Sequence, residues 1–575
     1  MLSRTSNWRS STKRIPRNRS FRISDIPVLG NPDLLFPDTE QQESNMKKTE
    51  SKRFVWMNED NEHFYTYGCH GPEDMTEEGC RNLVRTYART GAIGGVLYCI
   101  NLQRALFDSA AWERFRDVQG GEQHGYVDNV ALLAKRGVDQ FAVWLDETRR
   151  QGMEAWLTMR MNDSHGLKEA VHRWADAKIC TWHSKMWAEH PEWRRAPYRD
   201  ERSWEGSYDF GHEEIRRHHL ALVKEAFDRW DFDGIEFDWL RWGMFFRPGA
   251  EREGARLLTG FVREIGAIRK AAEKRVNHRI QLGHRIPMDP RLALNHGFDV
   301  AAWAEIGCVD MVTLSTFGNT CDYEPPIGLW RRLLATNRDG GGQSPRVNVA
   351  IGPVAEASPL NRAASYDYMR GAAACAWAAG ADGVYLFNEC YREPHQLAIL
   401  EEYLQDIRPE ANGSSGVRKV AVTMESQAMP GDSLRQILPM PLTNRAIGAD
   451  FTRMEQNMTF RLPMPGTQAE GDACRLEVVY DADVTDEVLA VQSARLNTKV
   501  LKRTGIRKLD QSKRAEKGVS VFQLFDDGYP REAASVVTFD VPWEDLVPFY
   551  NAIEVEPPAG ATGRIVWVQF VVERC

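Results

Sequence analysis

The chain of 575 residues is too long for one ordinary domain and suits a large domain joined to a smaller one. Its net charge of -8 and pI near 6.0 argue against a general nucleic-acid binder, which needs a basic face to neutralise phosphates. No stretch is apolar for long enough to form a transmembrane helix. We therefore expect neither nucleic acid nor a membrane as a partner.

The 10 cysteines are scattered and form no C-x-x-C pair, so the sequence supports neither a zinc ribbon nor a thioredoxin-like motif. Scattered cysteines in a large chain are typical of reduced thiols in the cytoplasm. We accordingly expect a cytoplasmic protein with no metal and no cofactor.

Residues 1–50 are rich in Arg and Ser and have no acidic residue before Asp25. They lack the apolar core of a secretory signal. Three interpretations stay open: a disordered tail, an organelle transit peptide, or translated upstream sequence with Met46 as the true start. We set this segment apart from the folded domains.

From residue 51 to residue 410, short apolar runs alternate with long amphipathic ones, which is typical of βαβ units and a parallel sheet. Eight strands are predicted, the number that closes a (β/α)₈ TIM barrel. A doubly wound sheet is the competing fold, but no G-x-G-x-x-G turn follows the first strand. The predicted strands are Phe64–Cys69, Gly95–Asn101, Glu154–Arg160, Phe232–Asp238, Arg279–Gly283, Asp310–Ser315, Arg346–Ile351 and Gly383–Phe387.

The sequence also predicts one long helix over 126–151, another over 212–230, and a last helix of the barrel ending near Ile407. Residues 411–416 have the composition of a flexible linker. Beyond them, alternating runs with little helical periodicity predict an antiparallel β-sandwich accessory domain over 417–575. These runs are Val417–Val422, Arg475–Tyr480, Val519–Leu524, Ala534–Val541 and Gly563–Val572.

The fourth predicted strand carries two acids on one face. Strand alternation places Glu236 and Asp238 on one side, and the apolar Ile235 and Phe237 on the other. Apolar residues suit the helix-packed outside of a barrel, so both carboxylates should face the interior, with Asp238 nearer the catalytic C-terminal mouth. Two close acids can give one ionised and one protonated carboxyl group. The alternative is a structural ion pair with Arg160, Arg241 or Arg285.

Glycoside hydrolysis needs a second carboxyl group across the scissile bond. Glu389, at the end of predicted strand eight, is the expected partner, with Glu236 as the alternate acid. Strand parity leaves open whether the neighbouring Asn388 points inward instead. Other residues at strand ends are candidate contacts for a carbohydrate, because converging polar groups suit sugar hydroxyls. They are Tyr67, His70, Asn101, Arg160, Asn162, His165, Trp239, Arg241, His284, Arg285, Thr316 and Asn388.

Three of these cations, Arg160, His284 and Arg285, either indicate an anionic sugar or only neutralise the two acids. An insertion of nearly fifty residues after strand three is a second open question, because loops of that length are usually functional. Its aromatic residues form either a platform for a sugar chain or a small core. Among them are Trp174, Trp182, His183, Trp187, His190, Trp193 and Trp204.

The run Phe232–Trp239 resembles the fourth strand of several barrel glycosidases. It most resembles the uncharacterised glycosyl-hydrolase-like families related to family 10, in which an aromatic-acid pair, here Trp230-Asp231, precedes the strand. This resemblance covers strands three and four, implies a barrel with glycosidase-type chemistry, and identifies Asp238 as the matching acid. The run is also similar to that of family 18 chitinases, but Leu240 stands where their proton-donating Glu would be. Substrate-assisted chitinase chemistry is therefore not expected.

Rival enzyme classes lack their motifs. An amidohydrolase would need His-x-His after strand one, and His63 and His70 have the wrong spacing. The G-x-S-x-G elbow of a serine hydrolase and the lysine motif of a P-loop enzyme are absent. A non-catalytic carbohydrate-binding protein stays open, as do a polysaccharide lyase and a transglycosylase. We expect a glycoside hydrolase with Asp238 as nucleophile or base and Glu389 as proton donor.

Overall fold

The structure is a computed structural model that describes part of the chain. Residues 1–50, the linker residues 411–415 and the predicted strand Val519–Leu524 lie outside the described residues. The described residues are 54–61, 64–65, 70–118, 124–164, 183–196, 206–241, 243–316, 323–335, 344–351, 362–387, 401, 403–409, 416–422, 440–442, 458–514, 528–548, 550–557 and 561–574.

Eight parallel strands close into a barrel in chain order, with the eighth paired to the first, which confirms the predicted TIM barrel. The strands are β1 (Val55–Glu59), β2 (Ile93–Cys99), β3 (Glu154–Arg160), β4 (Gly234–Asp238), β5 (Gln281–Pro287), β6 (Met311–Ser315), β7 (Arg346–Ile351) and β8 (Gly383–Leu386).

Helices connect these strands and form the outer layer. They are α1 (Glu77–Arg89), α2 (His124–Lys135), α3 (Gln140–Arg150), α4 (Lys185–Glu189), α5 (Glu213–Arg229), α6 (Glu251–Val276), α7 (Pro290–Asn295), α8 (Val300–Glu305), α9 (Ile327–Leu334) and α10 (Arg362–Ala378). Residues 403–406 are also helical, close to the predicted end of the last helix. None of the helices in the described part of the chain is both long and apolar enough to cross a membrane.

The first strand is not where the sequence analysis placed it. Trp56 of β1 pairs with Gly95 of β2 and Tyr385 of β8, whereas Phe64, from the predicted strand, packs against Trp144 in the outer layer. Both segments are short and contain aromatic residues, and Phe64 and Tyr65 are as buried as the residues of β1. Periodicity cannot separate such runs when neither shows a clear alternation with polar residues.

The predicted helix over 126–151 is two helices, α2 and α3. Gly137 adopts a left-handed conformation between them, with φ of 73°. Asp139 then begins α3 as its N-cap, because its carboxylate accepts a hydrogen bond from the Ala142 backbone N–H. The continuous apolar spacing hid this break.

Two tryptophans fill the lower part of the barrel. Trp56 and Trp156 meet edge to face with ring centroids 5.5 Å apart. Each lies against a glycine of a neighbouring strand: a Cβ at Gly95 would lie 2.4 Å from the Trp56 ring, and one at Gly234 would lie 2.5 Å from Trp156. The barrel interior is therefore a packed core beneath the mouth.

The C-terminal region is an antiparallel β domain, as predicted. One sheet contains β9 (Arg418–Ala421), β10 (Met440–Pro441), β12 (Asp472–Tyr480), β15 (Lys502–Lys508), β16 (Ser535–Val541) and β18 (Arg564–Arg574). The other contains β11 (Met458–Pro463), β13 (Ser493–Leu496), β14 (Lys499–Val500) and β17 (Tyr550–Glu556). A helix, α11 (Asp486–Val491), lies between β12 and β13 in the chain.

One face of the larger sheet packs on α10 of the barrel. The Tyr368 hydroxyl of α10 donates to Gln569 Oε1 of β18 at 2.6 Å. Gly371 of α10 allows β9 to approach closely, since a Cβ there would lie 2.0 Å from the Lys419 carbonyl oxygen. A buried hydrogen bond and this close backbone approach position the sheet on the barrel.

Candidate active site

The two acids of β4 face the interior of the barrel. Glu236 pairs in register with Thr158 of β3 and Gly283 of β5, while Asp238, the last residue of its strand, pairs with Arg160 and Arg285. Both side chains are buried, with residue exposures of 0% and 2%. Asp238 therefore lies at the C-terminal mouth, with Glu236 one pleat below it.

Glu236 is surrounded by hydroxyl groups. Its Oε1 accepts hydrogen bonds from Tyr385 at 2.7 Å and Thr158 at 3.1 Å, and its Oε2 accepts one from Thr313 at 3.2 Å. Burial, and after it the charge of Asp238, raises the pKa of Glu236 to about 7. Glu236 can thus carry a proton near neutral pH.

This shift predicts a pH dependence of stability. Because the pKa of Glu236 is raised from 4.5 to about 7, the folded protein keeps a proton that the unfolded chain releases. The resulting stability is fully present below the unfolded pKa and is lost as the pH rises through the folded pKa. Relative to Glu236→Gln, the wild-type free energy of unfolding should fall by about 1.4 kcal/mol per pH unit between about pH 5 and about pH 7.

Denaturant unfolding of both proteins across this range, followed by tryptophan fluorescence, measures the difference. Parallel curves for the wild type and Glu236→Gln would show that the carboxyl group titrates normally in the folded protein.

Asp238 is paired with arginine. Its Oδ1 accepts hydrogen bonds from Arg285 Nη1 at 2.8 Å and from the Leu240 backbone N–H at 3.0 Å. Its Oδ2 lies 3.5 Å from Arg241 Nε. The guanidinium carbons of Arg285 and Arg241 lie 3.7 Å and 4.6 Å from the centre of the Phe387 ring. The ion pair that the sequence analysis held as an alternative is present, and it fixes the orientation of the carboxylate.

A second group of charges adjoins this pair. Arg160 Nη1 donates to Asp163 Oδ2 at 2.8 Å, and its Nη2 pairs with Asp60. Arg241 Nη2 lies 3.5 Å from the same Asp60. Burial, followed by the charge of Arg241, lowers the pKa of Arg160 to about 10. We call the whole set the rim network: Asp60, Arg160, Asp163, Asp238, Arg241 and Arg285.

The rim network contains three arginines and three aspartates in mutual contact. Opposite charges therefore balance within it. This geometry favours the interpretation that the arginines neutralise the acids over the one that they select an anionic sugar.

The side-chain amides of two predicted contact residues, Asn101 and Asn162, are hydrogen-bonded to backbone groups. The Asn101 amide donates to the Arg160 carbonyl at 2.9 Å and accepts from the Arg160 N–H at 3.1 Å. The Asn162 amide donates to the carbonyls of Tyr208 and Met244, both at 3.0 Å. These asparagines hold neighbouring segments at the mouth in place.

The prediction that Trp239 and His284 line the mouth is wrong. Trp239 donates to His284 Nδ1 at 3.1 Å and packs on Trp303 in the outer layer. His284 Nε2 lies 2.9 Å from the Cys308 carbonyl oxygen, and burial lowers the pKa of His284 to about 4. The physical reason is strand alternation. Because β5 extends to Pro287, His284 and Arg285 both lie within the strand and point to opposite faces. His284 pairs with the outward Phe237, and Arg285 with the inward Asp238.

Two further candidates, His70 and Thr316, lie among the described residues. Half-buried His70 packs on the Phe64 ring at 4.8 Å and lies 3.7 Å from Asp74. Thr316 follows β6, and its carbonyl oxygen accepts a hydrogen bond from Ser315 at 3.0 Å. Four predicted site residues lie outside the described residues: Tyr67, His165, Asn388 and Glu389.

In the insertion, Trp187 is fully buried and donates to the Gly206 carbonyl at 2.7 Å, with Arg194 stacked on its ring at 3.7 Å. His183 stacks on the same ring at 4.5 Å. These contacts favour the small core over the sugar platform for Trp187. His190 stacks on the half-buried Trp193 at 3.7 Å. The insertion tryptophans Trp174, Trp182 and Trp204 lie outside the described residues.

Sequence reasoning missed Asp60, Asp163 and Tyr385. Asp60 directly follows β1, so a correct first strand would have placed it at the mouth. Tyr385 was detectable, because alternation within β8 places it on the same face as the inward Gly383.

Among the described residues, no group of three or more His, Cys, Asp or Glu side chains could hold a metal ion. The sequence matches no known family model and no curated protein.

Several solved structures of carbohydrate-active proteins are similar to this chain. The GH36 alpha-galactosidase AgaA of Geobacillus stearothermophilus has a TM-score of 0.34 at 10% identity, covering 91% of this chain and 56% of its own. A Paenibacillus cycloisomaltooligosaccharide glucanotransferase, complexed with cycloisomaltoheptaose, has a TM-score of 0.32 at 10% identity, covering 91% and 58%. The PgaB (BpsB) glycoside hydrolase domain of Bordetella bronchiseptica has a TM-score of 0.35 at 12% identity, covering 62% and 99%.

This chain thus spans little more than half the length of the first two proteins. With every TM-score below 0.5, these similarities say nothing of the activity or substrate of this chain. The barrel assignment rests on its own closed strand topology.

Proposed function

We propose that the protein is a glycoside hydrolase that cleaves an oligo- or polysaccharide at the C-terminal mouth of the barrel. The observation that carries this proposal is the placement of Asp238 on the interior face at the end of β4, directly above a buried second acid. The ends of barrel strands are where barrel enzymes place their reacting groups.

Asp238 suits the role of nucleophile or general base. Its Oδ1 is held by Arg285 and the Leu240 N–H, and this pairing favours a carboxylate of fixed orientation. Its Oδ2 is 3.5 Å from Arg241, longer than a hydrogen bond, so this oxygen is the one a substrate would reach. It would either attack the anomeric carbon or remove a proton from the attacking water.

The same reaction needs a proton donor for the leaving oxygen. Glu389, predicted at the end of β8, is the proposed donor. Glu236 is the alternate acid, and its pKa near 7 suits proton donation. However, Glu236 is fully buried beneath Asp238 and already bonded to three hydroxyl groups, which favours Glu389 as the group that contacts substrate.

One observation favours a second candidate, a non-catalytic carbohydrate-binding protein. Asp238 is only 2% exposed and is paired with two arginines, as a purely structural acid would be. Such a protein would bind glycans without hydrolysing them, and its glycan binding would tolerate neutralisation of Asp238.

A hydrolysis screen over neutral and acidic oligo- and polysaccharides, with wild type beside Glu389→Gln, tests the proposal. We expect reducing ends to be released by the wild type and a loss of about 10²-fold or more in the variant. Binding without hydrolysis by the wild type would instead establish the non-catalytic candidate. Full activity of the variant would remove Glu389 from the mechanism.

A further inference from the structure

The interior of the barrel holds a hydrogen-bonded cluster beneath the mouth, centred on Glu236. The carboxyl group of Glu236 on β4 accepts hydrogen bonds from hydroxyl groups on three other strands: β3, β6 and β8. The donor from β8 is Tyr385, whose oxygen lies 2.7 Å from Glu236 Oε1, the shortest of the three contacts. Hydrogen bonds to a charged acceptor are stronger than those between neutral groups.

The Tyr385 hydroxyl keeps its proton and donates a hydrogen bond to Glu236. Burial raises the pKa of its hydroxyl well above the usual range, so the proton stays on the tyrosine. Its ring is fully buried in the lumen, in the same apolar cluster as Trp56 and Trp156. The packing therefore holds the ring where its hydroxyl meets Glu236.

We propose that Tyr385 is a positioning residue of the candidate site, which acts through Glu236 to set the charge and the place of the acid directly beneath Asp238. This inference rests on the proposed hydrolase function. Asp238 and Glu236 are two residues apart on one face, so a change in the charge of Glu236 changes the electrostatic potential at the Asp238 carboxylate. A hydrogen bond from Tyr385 favours the ionised form of Glu236.

Groups on several strands act on the charge of Glu236. β3 and β6 present the uncharged Thr158 and Thr313. Among the described residues, the titratable or charged groups with the largest effect on it are Asp238 on its own strand, Arg285 on β5 and Tyr385 on β8.

The substitution Tyr385→Phe removes the hydroxyl and keeps the ring. In a stability titration of the wild type, the pH-dependent fall in the free energy of unfolding that Glu236 causes should end near pH 7. In Tyr385→Phe it should end about one pH unit higher, because the lost hydrogen bond favoured the ionised carboxylate. The substitution should have no such effect in a Glu236→Gln background. With a glycan that the wild type hydrolyses, kcat should fall about tenfold with KM unchanged, and the pH profile should shift in the same direction.

Tyr98→Phe is the matched control. Tyr98 is also fully buried and makes one hydroxyl contact, to Thr148 Oγ1 at 2.8 Å, but it stacks on Trp144 in the outer layer. We expect it to change neither the stability titration nor the pH profile of hydrolysis.

The outcomes separate the two proposals. An unmoved stability titration in Tyr385→Phe would overturn the inference, whether or not the protein hydrolyses glycans. A moved titration with an unmoved activity profile would also overturn it, because the bond would then be structural only. Absence of hydrolysis by the wild type would refute the proposed function, and the positioning role would fall with it.

Discussion

Replacing Asp238 with Asn is expected to lower kcat/KM for glycan hydrolysis by about 10³-fold. The carboxamide keeps the size of the side chain but can neither attack an anomeric carbon nor accept a proton from water. The expected loss should appear in kcat, because the missing group acts in the transition state. Steady-state kinetics on the best glycan from the screen, at equal folded concentration, measure it.

The control must also remove a carboxylate partner from a buried arginine. Asp163→Asn does so, because Asp163 is buried in the rim network and paired with Arg160 at 2.8 Å. It should lose stability to a similar extent and keep most of the activity. If the two variants lose activity equally, the effect comes from disruption of the rim network, and Asp238 has no chemical role of its own.

The largest loss of stability is expected for Arg285→Met. Arg285 is 1% exposed and donates both to Asp238 and to Ser315. Its removal leaves the buried Asp238 carboxylate without its closest cation, and breaking a buried pair in this way costs about 3–5 kcal/mol. Denaturant unfolding followed by tryptophan fluorescence gives the difference from wild type.

A double variant isolates the pair. Arg285→Met combined with Asp238→Asn removes both charges, so it should be more stable than Arg285→Met alone by at least about 1 kcal/mol. Equal losses in the single and double variants would mean that the two side chains do not interact, contrary to the 2.8 Å contact.

The orientation of the acids in β4 could be read from the sequence because Ile235 and Phe237 alternate with them. Successive side chains of a strand point to opposite faces, so when apolar residues pack against the helices, their neighbours must point into the barrel. β3 and β7 were also predicted with their observed bounds. In these strands the flanking residues mark both ends clearly.

The parts that failed depend on distant contacts. β1 is defined by pairing with β2 and with β8, more than 300 residues away, and no local pattern distinguishes it from the aromatic segment after it. Asp60 was missed as a consequence. Trp239 and His284 were misplaced because their direction depends on where strands end, which is the least reliable part of a prediction from sequence.

The most direct test of the role of Asp238 is a crystal structure of Asp238→Asn with an oligosaccharide that the wild type hydrolyses. If residue 238 is the reacting carboxylate, a sugar should lie at the mouth of the barrel with its anomeric carbon within about 3.5 Å of the residue 238 side chain. Arg241 would be displaced from its place beside Oδ2. A glycan bound away from the mouth, with residue 238 still enclosed by both arginines, would contradict that role.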